Sequence, residues 1–414
     1  MTKRDSGLMK TIHYAWFICI GATLLMFCTS GLGSTAFAAY LPYLVSIKEL
    51  ANVQISLIVF IRSLFGVIGM FFVNALLYRF EIRRVVTAGV FICALAFVVF
   101  SLADGFAGYC AAAAVAGMAY GIGGMVPASI LISRWFNEHR GLALGIVMAS
   151  TGVSTFVAAP VITLLVEHVS LQSAFLIEAA FIAVCGAAIW LLVRSEPECL
   201  HTQPLGTDKV SSSETYANNT ADRPLIFIMT FGWLILGAAV NNLHSHLSVL
   251  YQSVGFTSGQ ISTVISLFGI SLAVGKCCCG QLTDRIGVFW ACMILYVSSA
   301  AGVAICCMAR NTGFTVACFG VILVGFGVAV GSVATSTYAV EAATAEDYPK
   351  IVSRFQTMQT LGGLAFATAP GYLADLTGDY IFSYVLMLIL VVISAAILQG
   401  GYLVIRRKDL QTFE

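Results

Sequence analysis

The stretch Ser262–Gly287, STVISLFGISLAVGKCCCGQLTDRIG, joins a long apolar run, one basic residue inside that run and a charged turn at its end. The turn has the spacing G-x-x-x-D-R-x-G, from Gly280 through Asp284 and Arg285 to Gly287. Lys276 precedes Asp284 by two helical turns, or roughly 12 Å at about 1.5 Å per residue. That depth is close to the middle of a hydrocarbon layer about 30 Å thick. A lysine there is costly unless it meets water, a counter-ion or an anionic ligand.

The composition indicates a polytopic membrane protein. Of the 414 residues, 59% are apolar and only 10% are charged, whereas about a quarter of the residues in a soluble domain are charged. Segments long enough to cross a bilayer, about 20 residues each, recur along the chain. The sequence predicts twelve such helices, near 14–44, 53–78, 85–103, 106–135, 141–166, 171–193, 225–252, 260–283, 288–308, 313–340, 351–374 and 381–405.

The distribution of Lys and Arg predicts the orientation. With the amino terminus in the cytosol, seventeen of these residues fall on the cytosolic side, and only Lys48 and Arg310 fall on the other. The positive-inside rule therefore predicts cytosolic termini and a multi-pass protein of the plasma (cytoplasmic) membrane. The first helix is too long for a signal-peptide core, so we expect it to be retained. The net charge of +1 gives no indication of a nucleic-acid partner.

The thirteen cysteines do not predict a metal site, a disulfide framework or a cofactor. Cys277, Cys278 and Cys279 are adjacent on a helix and point about 100° apart, so they cannot converge on one ion. The remaining cysteines lack paired ligand spacing. We expect them to fill apolar space between helices.

A polar segment divides the chain into two halves. Residues 195–224 are rich in Ser, Thr, Asn and acidic side chains, and we interpret them as a cytosolic linker between 1–194 and 225–414. Each half contains six predicted helices, and short matches recur between the halves at offsets of 206 and 210, namely Leu76 and Arg79 with Leu282 and Arg285, and Ala159-Pro160 with Ala369-Pro370. The sequence thus predicts an all-α membrane protein of two pseudo-symmetric halves, an architecture that secondary transporters use.

Two features of the helix interiors leave alternatives open. The first and fourth helices contain several glycines, which allow either close packing or a gating bend. These glycines are Gly21, Gly31, Gly33, Gly117, Gly121, Gly123 and Gly124. Arg62 lies ten residues into the second helix, too deep to reach water easily. It is either a ligand-binding side chain or a structural arginine paired with a carboxylate, for which Glu178 is the candidate.

The step from the fourth to the fifth helix, ISRWFNEHRGLALGIVMASTG, resembles the signature of the monocarboxylate transporter and oxalate/formate antiporter branch of the major facilitator superfamily. The matching residues are Trp135, Phe136, Arg140, Leu142, Ala143 and Gly145. The turn at 280–287 resembles the loop motif of the whole superfamily, and the copy in the first half keeps Arg79, Arg83 and Arg84. His246 resembles a histidine that this branch often carries ahead of a turn such as Gly255, Phe256 and Thr257.

The resemblance implies a transporter that moves a small organic anion by alternating access. The anion would be a monocarboxylate such as lactate, pyruvate or formate, carried with protons or exchanged for a counter-anion. In the branch a basic residue of the eighth helix faces the substrate, and Lys276 has that position. The eleventh helix has Gln356 and Gln359 but no basic residue at mid-span, so Arg62 would have to supply a second cation.

The predicted substrate-binding residues are Arg62, Lys276, Tyr120, Asn241, His246, Tyr338 and Gln359, although each uncharged one is also explained as a packing residue. The predicted gating residues are Arg79, Arg84, Arg140, Gly280, Asp284, Arg285 and Gly287. The alternative function is a carrier or exporter of a neutral or drug-like solute, which would tolerate loss of both cations. An enzyme is not predicted, because the chain lacks a metalloprotease pair, a nucleophile elbow or a phosphate loop. We expect a monomer.

Overall fold

The computed structural model describes residues 13–136, 140–200, 202–206, 221–311, 313–344 and 346–411. The first half contains α1 (Ala15–Lys48), α2 (Asn52–Arg79), α3 (Ile82–Leu102), α4 (Phe106–Trp135), α5 (Arg140–His168) and α6 (Leu171–Leu192). The second half contains α7 (Arg223–Ser245, then Leu247–Ser253), α8 (Ser258–Thr283), α9 (Arg285–Cys307), α10 (Phe314–Ala342), α11 (Tyr348–Ala365, then Ala369–Thr377) and α12 (Ile381–Gln411).

The twelve predicted helices are all present in the described part of the chain. Eleven of them are long and apolar enough to cross a membrane. The remaining one, α11, is interrupted between Ala365 and Ala369 and carries several polar residues, which lowers its hydropathy. Much of the predicted linker lies outside the described residues, so the division of the chain at 195–224 stays a prediction. Its described part includes a short helix at Pro197–Leu200, and Leu205 donates a backbone hydrogen bond to Trp135 O (2.9 Å).

Equivalent glycine contacts occur in both halves. In the first half Gly117 of α4 faces the backbone oxygen of Arg62 in α2, and in the second half Gly325 of α10 faces that of Phe268 in α8. A Cβ atom at either glycine would collide with that backbone. Because small residues allow membrane helices to approach closely, these crossings set the distance between helices in each bundle. Phe268 thus occupies in the second half the position that Arg62 occupies in the first.

Among the glycines of α1 and α4, close packing is observed and one position interrupts its helix, while a gating role stays a prediction. Gly117 and Gly121 pack against the backbone of α2. Gly124 is different, because its φ of −89° and ψ of −142° interrupt α4 between Gly123 and Met125. Helix α1 is also irregular, since Phe27–Thr35 forms a π-helix and Ala36–Tyr40 a 3₁₀-helix. Such segments inside membrane helices often lie at functional sites.

Gly287, in the first turn of α9, breaks the otherwise continuous helical run of α8 and α9. Its φ of 80° and ψ of 160° lie in a region that essentially only glycine adopts. The sequence placed this residue in a turn where the apolar run ends, and the structure confirms a break there.

The two halves are joined at one face of the molecule. The face that carries the start of α1, the end of α6 and the start of α7 is here called the linker face, and the opposite one the loop face. At the loop face Asp375 of α11 accepts hydrogen bonds from Val53 N and Asn52 Nδ2 of α2, both at 2.9 Å. The α2 N-cap is Ala51, whose side chain has no oxygen. A carboxylate of the other half therefore satisfies the start of α2 and lies at the positive end of its dipole.

Further hydrogen bonds join the halves nearby. The Tyr380 hydroxyl donates to Asn52 Oδ1 (3.2 Å), and Ser56 Oγ lies 3.0 Å from His246 Nε2. Other bonds link α1 to α7, from Ser248 Oγ to Ala38 O (2.5 Å) and from Gln252 Nε2 to Pro42 O (3.0 Å). Among the described residues, direct bonds between the halves occur only at this face and around Lys276. The conformation is thus closed at the loop face.

We predict that Gly287→Ala lowers the free energy of unfolding by about 1–3 kcal/mol, because alanine is strained at this φ and ψ. The measurement is the midpoint of thermal unfolding of the detergent-purified chain. Gly259 is the matched control, since it lies in α8 with a negative φ and with open space around its Cα. An equal loss from Gly259→Ala would contradict this explanation.

We also predict that Asp375→Ala shifts the protein toward a state open at the loop face by about fivefold, since loss of an N-cap costs about 1 kcal/mol. Spin labels at Leu102→Cys and Met308→Cys, exposed at the loop-face ends of α3 and α9, would report a longer distance. The control is Asp104→Ala, an exposed loop-face aspartate of the first half. Unchanged distances in Asp375→Ala would show that this cap does not hold the halves together.

Candidate functional site

Arg62 lies in the interior of the first half, where α1, α2 and α4 meet. Its side chain is 7% exposed, its Nη1 donates to Ser34 O (3.2 Å), and the guanidinium lies 5.4 Å from the centre of the Phe37 ring. Tyr120 of α4 is close enough to interact electrostatically with it. Helix α4 approaches α2 closely here, because Gly117 packs directly on the Arg62 backbone. Arg62 is therefore a buried cation held by a neutral carbonyl and an aromatic ring.

Lys276 points from the second half toward the first. Its Nζ donates to Thr151 Oγ1 (2.8 Å) and to Met148 O (3.5 Å), both in α5. The approach of α8 to α5 depends on Gly152, where a Cβ atom would meet the backbone of Gly269 and Ala273. Lys276 thus lies in the seam between the halves and does not face lipid.

A chain of hydroxyl groups connects the surroundings of the two cations. Thr155 Oγ1 and Thr35 Oγ1 lie 2.7 Å apart, within hydrogen-bond distance, and Thr35 Oγ1 lies 3.3 Å from Thr151 O. Thr35 directly follows Ser34, whose carbonyl binds Arg62, and both belong to the π-helical part of α1. The same short segment of α1 therefore reaches the arginine on one side and the threonines beside Lys276 on the other.

Neither cation has an acidic partner in the described part of the chain. Glu178, the carboxylate that the sequence offered for Arg62, accepts a hydrogen bond from the Tyr40 hydroxyl at 2.6 Å. It is 7% exposed, and the ring of its hydrogen-bond donor Tyr40 stacks on Phe175 (4.2 Å between ring centres). The structure therefore does not form the Arg62–Glu178 ion pair that was left open as the structural alternative.

The two histidines of α7 differ in their surroundings. His246 is fully buried, with Nε2 near Ser56 and Nδ1 3.1 Å from Asn242 O, so it belongs to the contact at the loop face. His244 is half-buried, and its Nδ1 donates to Val240 O (3.2 Å). It is close enough to Arg62 and Lys276 to sense both charges. His244 was not among the residues predicted from the sequence, although it is the histidine of α7 that lies within electrostatic range of both cations.

The polar residues predicted in the second half form a separate group. Gln359 Nε2 donates to Gly331 O (2.6 Å), and Asn241 Nδ2 lies 3.5 Å from Gln359 O. Both side chains are half-buried at the contact of α7 with α11. Tyr338 is fully buried, with its ring centre 5.9 Å from that of Trp233 and 6.0 Å from that of Tyr402. The structure does not bring Tyr338 to the two cations in this conformation.

The predicted gating residues lie at the linker face. Arg79, Arg84 and Arg285 are exposed, and Arg84 lies 3.9 Å from Glu81, its neighbour one helical turn away. Neither Arg79 nor Arg285 forms an ion pair with another described side chain. Arg140 begins α5, but the side chains of Arg140 and Asp284 and the exposure of Gly280 lie outside what the structure describes. The gating role of these residues therefore stays a prediction.

The threonines and His244 carry no signal in the sequence that would have identified them. Threonine is common in helices because its hydroxyl can bond to the carbonyl four residues earlier, as Thr155 does with Thr151 O (3.0 Å). Only the crossing of α1, α5 and α8 distinguishes Thr35, Thr151 and Thr155 from other threonines. The described cysteines are free thiols, and no cluster of potential metal ligands occurs among the described residues.

Comparison with known proteins gives consistent results. The model of the Major Facilitator Superfamily matches residues 23–245 and 224–412. Monocarboxylate transporter 12 of Xenopus laevis is 26% identical over 287 residues, covering 63% of this chain and 61% of the relative. The mouse protein of that name is 28% identical over 184 residues, 38% of each chain, and monocarboxylate transporter 13 of the rat is 24% identical over 271 residues, 63% of this chain and 59% of the relative. These matches span less than two thirds of the relatives' length.

Solved structures share the fold over nearly the whole chain. A bacterial homologue of the human lysosomal transporter Spinster, in an inward-facing and unoccupied conformation, gives a TM-score of 0.68 at 14% identity, covering 96% of this chain and 98% of that one. The nucleoside transporter NupG gives a TM-score of 0.68 at 16% identity, covering 95% and 99%. At these identities the likeness concerns architecture alone. Because the family model matches both six-helix halves, the chain belongs to the Major Facilitator Superfamily and is a multi-pass membrane transporter that resembles the monocarboxylate transporter branch.

Proposed function

We propose that this transporter moves a small organic anion, a monocarboxylate such as lactate, pyruvate or formate, across the plasma membrane by alternating access. The observation that carries the proposal is the pair of basic side chains, Arg62 and Lys276, at the centre of the molecule. Their direct hydrogen-bond acceptors are the neutral oxygens of Ser34, Met148 and Thr151. The curated relatives named monocarboxylate transporters support the same substrate class.

The electrostatics favour an anion. A cation held in a low-dielectric interior by neutral groups alone retains part of its desolvation cost, and a negative ligand offsets that cost. Arg62 can hold a carboxylate through two parallel hydrogen bonds, whereas Lys276 acts as a point charge. A neutral solute would leave both charges uncompensated, which makes the neutral-solute alternative the weaker one.

The positions of Arg62 and Lys276 would allow a bound anion to connect the two halves. Arg62 belongs to the first half and Lys276 to the second, so an anion that contacts both links the halves. The present conformation is closed at the loop face, where Asp375 caps α2. In the proposed orientation the linker face is cytosolic, and we propose that the anion reaches the site from that side. Rearrangement of the contacts at the two faces would expose the same site to the other side.

Among the described residues, no carboxylate that could carry a proton lies beside Arg62 or Lys276. His244 is the titratable side chain that senses both charges, and the substrate could also be exchanged for a second anion. Coupling is therefore proposed as either proton symport or anion exchange, and transport in liposomes distinguishes the two.

We predict that Lys276→Ala reduces uptake of labelled lactate into proteoliposomes by about tenfold or more, since a hydrogen bond to a charged group contributes about 1.5–3 kcal/mol. The matched control is Lys350→Ala, which removes a lysine whose side chain is 80% exposed at the linker face. Thermal unfolding of both variants would show that they fold. Wild-type affinity for lactate in Lys276→Ala would refute the site.

A second measurement addresses substrate and coupling. We predict that labelled lactate, pyruvate or formate enters the liposomes, and that Arg62→Gln impairs this flux as Lys276→Ala does. Under proton symport, an acidic exterior accelerates uptake into empty liposomes. Under exchange, uptake requires internal anion and responds little to the pH step. Flux of neutral solutes that persists in the double variant, without flux of any carboxylate, would favour the alternative function.

A further inference from the structure

Glu178 is a buried carboxyl group that the proposed anion site does not use. It lies in α6, seven residues after Leu171, and therefore roughly 11 Å from the loop-face end of that helix. It is 7% exposed. The Tyr40 hydroxyl of α1 donates to its Oε2 at 2.6 Å. Its other oxygen, Oε1, is buried and has no hydrogen-bond partner among the described residues.

The surroundings of Glu178 contain no cation in the described part of the chain. Helices α1, α3 and α5 pack against α6. The Tyr40 phenol and the Cys28 thiol of α1 lie within electrostatic range of the carboxyl group, as does the Cys93 thiol of α3. On α6 itself, Cys185 lies beside Cys28. Among the described residues, α5 adds no charged side chain within that range. None of these groups carries a positive charge that could pair with an ionised carboxylate.

This arrangement fits a protonated carboxyl group. A buried ionised carboxylate requires a cation or several hydrogen-bond donors, and the described residues supply one neutral hydroxyl. The ring that carries this hydroxyl stacks on Phe175, with 4.2 Å between the ring centres, so one side of the site is apolar. The neutral acid keeps the hydrogen bond from Tyr40 and has no charge to desolvate. An ionised Glu178 would be stable only where water or a further donor reaches Oε1.

Helix α1 connects Glu178 with the anion site. Tyr40 ends the 3₁₀ segment Ala36–Tyr40. In the same segment the Phe37 ring lies 5.9 Å from the Tyr40 ring and 5.4 Å from the Arg62 guanidinium. A displacement of Tyr40 therefore moves the segment that packs on the arginine.

The same part of α1 also joins the two halves at the loop face. Two residues before Tyr40, Ala38 O accepts a hydrogen bond from Ser248 of α7, and two residues after it, Pro42 O accepts one from Gln252. The residue that binds Glu178 is thus flanked by contacts that close the loop face. The closed conformation and the docking of Tyr40 on the carboxyl group depend on one position of α1.

We propose that Glu178 binds the proton that accompanies the small carboxylate, so that the protein is a proton symporter. This inference rests on the proposed function and decides between its two forms of coupling. A proton from water on the loop-face side adds to the carboxylate, and the same proton returns to water on the linker-face side in each cycle. Protonation removes the buried charge, allows α1 to dock on α6 and favours closure of the loop face. Loss of the proton favours opening, which admits water to Oε1.

We predict that Glu178→Gln abolishes the acceleration of lactate uptake by an acidic exterior. In the wild type the initial rate should rise roughly tenfold per pH unit while the site is unsaturated, because one proton binds in each cycle. Glutamine is close in size to the neutral acid and can still accept from Tyr40, but it takes up no proton. Exchange of labelled for unlabelled lactate across the liposome membrane should be retained, since it needs no net proton movement.

Two further variants make this test specific. Glu167→Gln is the matched control, because it makes the same change at an exposed carboxylate of α5, and its acid response should equal that of the wild type. Tyr40→Phe should raise the pH of half-maximal uptake by about one unit, since the hydroxyl stabilises the ionised carboxylate. Thermal unfolding would show that each variant folds. An acid response that survives Glu178→Gln, or that is lost only in His244→Gln, would overturn the proposal.

The distance between spin labels at Leu102→Cys and Met308→Cys provides a measurement that needs no substrate. In the wild type it should lengthen at alkaline pH, as Glu178 ionises and the loop face opens, whereas in Glu178→Gln it should stay short. If lactate is transported but neither uptake nor distance responds to pH, the proton site fails and the proposed function stands. If no carboxylate is transported but the distance responds to pH through Glu178, the proposed function fails and the proton site stands.

Discussion

A positive charge placed in the middle of a membrane protein must be compensated, and this constraint governs the centre of the structure. Arg62 is buried and Lys276 is half-buried, each within a membrane helix, and the described residues provide them with carbonyl, hydroxyl and aromatic groups but no carboxylate. Such partners orient the side chains and compensate the charge only in part. In the proposed function a bound anion supplies the remaining compensation. Since the two cations belong to different halves, that proposal would link anion binding to the relative position of the halves.

The cations have their positions because helix backbones approach one another at glycines. Gly117 allows α4 to lie on the Arg62 backbone, and the Gly152–Gly269 crossing allows Lys276 to reach Thr151. The first contact has an equivalent in the second half, where Gly325 faces Phe268. The repeated architecture is therefore symmetric in its packing and asymmetric in its chemistry. One half places an arginine where the other places a phenylalanine.

Two kinds of contact join the halves. At the loop face the contact is a network of polar groups, centred on the capping of α2 by Asp375 and on the Ser56–His246 pair. Polar contacts of this type are individually weak and can be exchanged, which would suit an interface that opens in the proposed transport cycle. The α5–α8 crossing is instead a close backbone contact, at Gly152 and Gly269.

The sequence by itself determined the membrane class, the twelve helices, the turn at Gly287, the superfamily and the position of Arg62 and Lys276 inside helices. These properties depend on transfer free energies and backbone preferences of individual residues, which are legible along the chain. Only the tertiary structure decided that Thr35, Thr151 and Thr155 surround the cations, that His244 senses both of them while His246 joins the loop-face contact, and that Tyr338 packs among aromatic rings. Each of these outcomes depends on how helices from distant parts of the sequence cross. A threonine, histidine or tyrosine has the same local signature whether it faces its own helix, a neighbour or the seam between the halves.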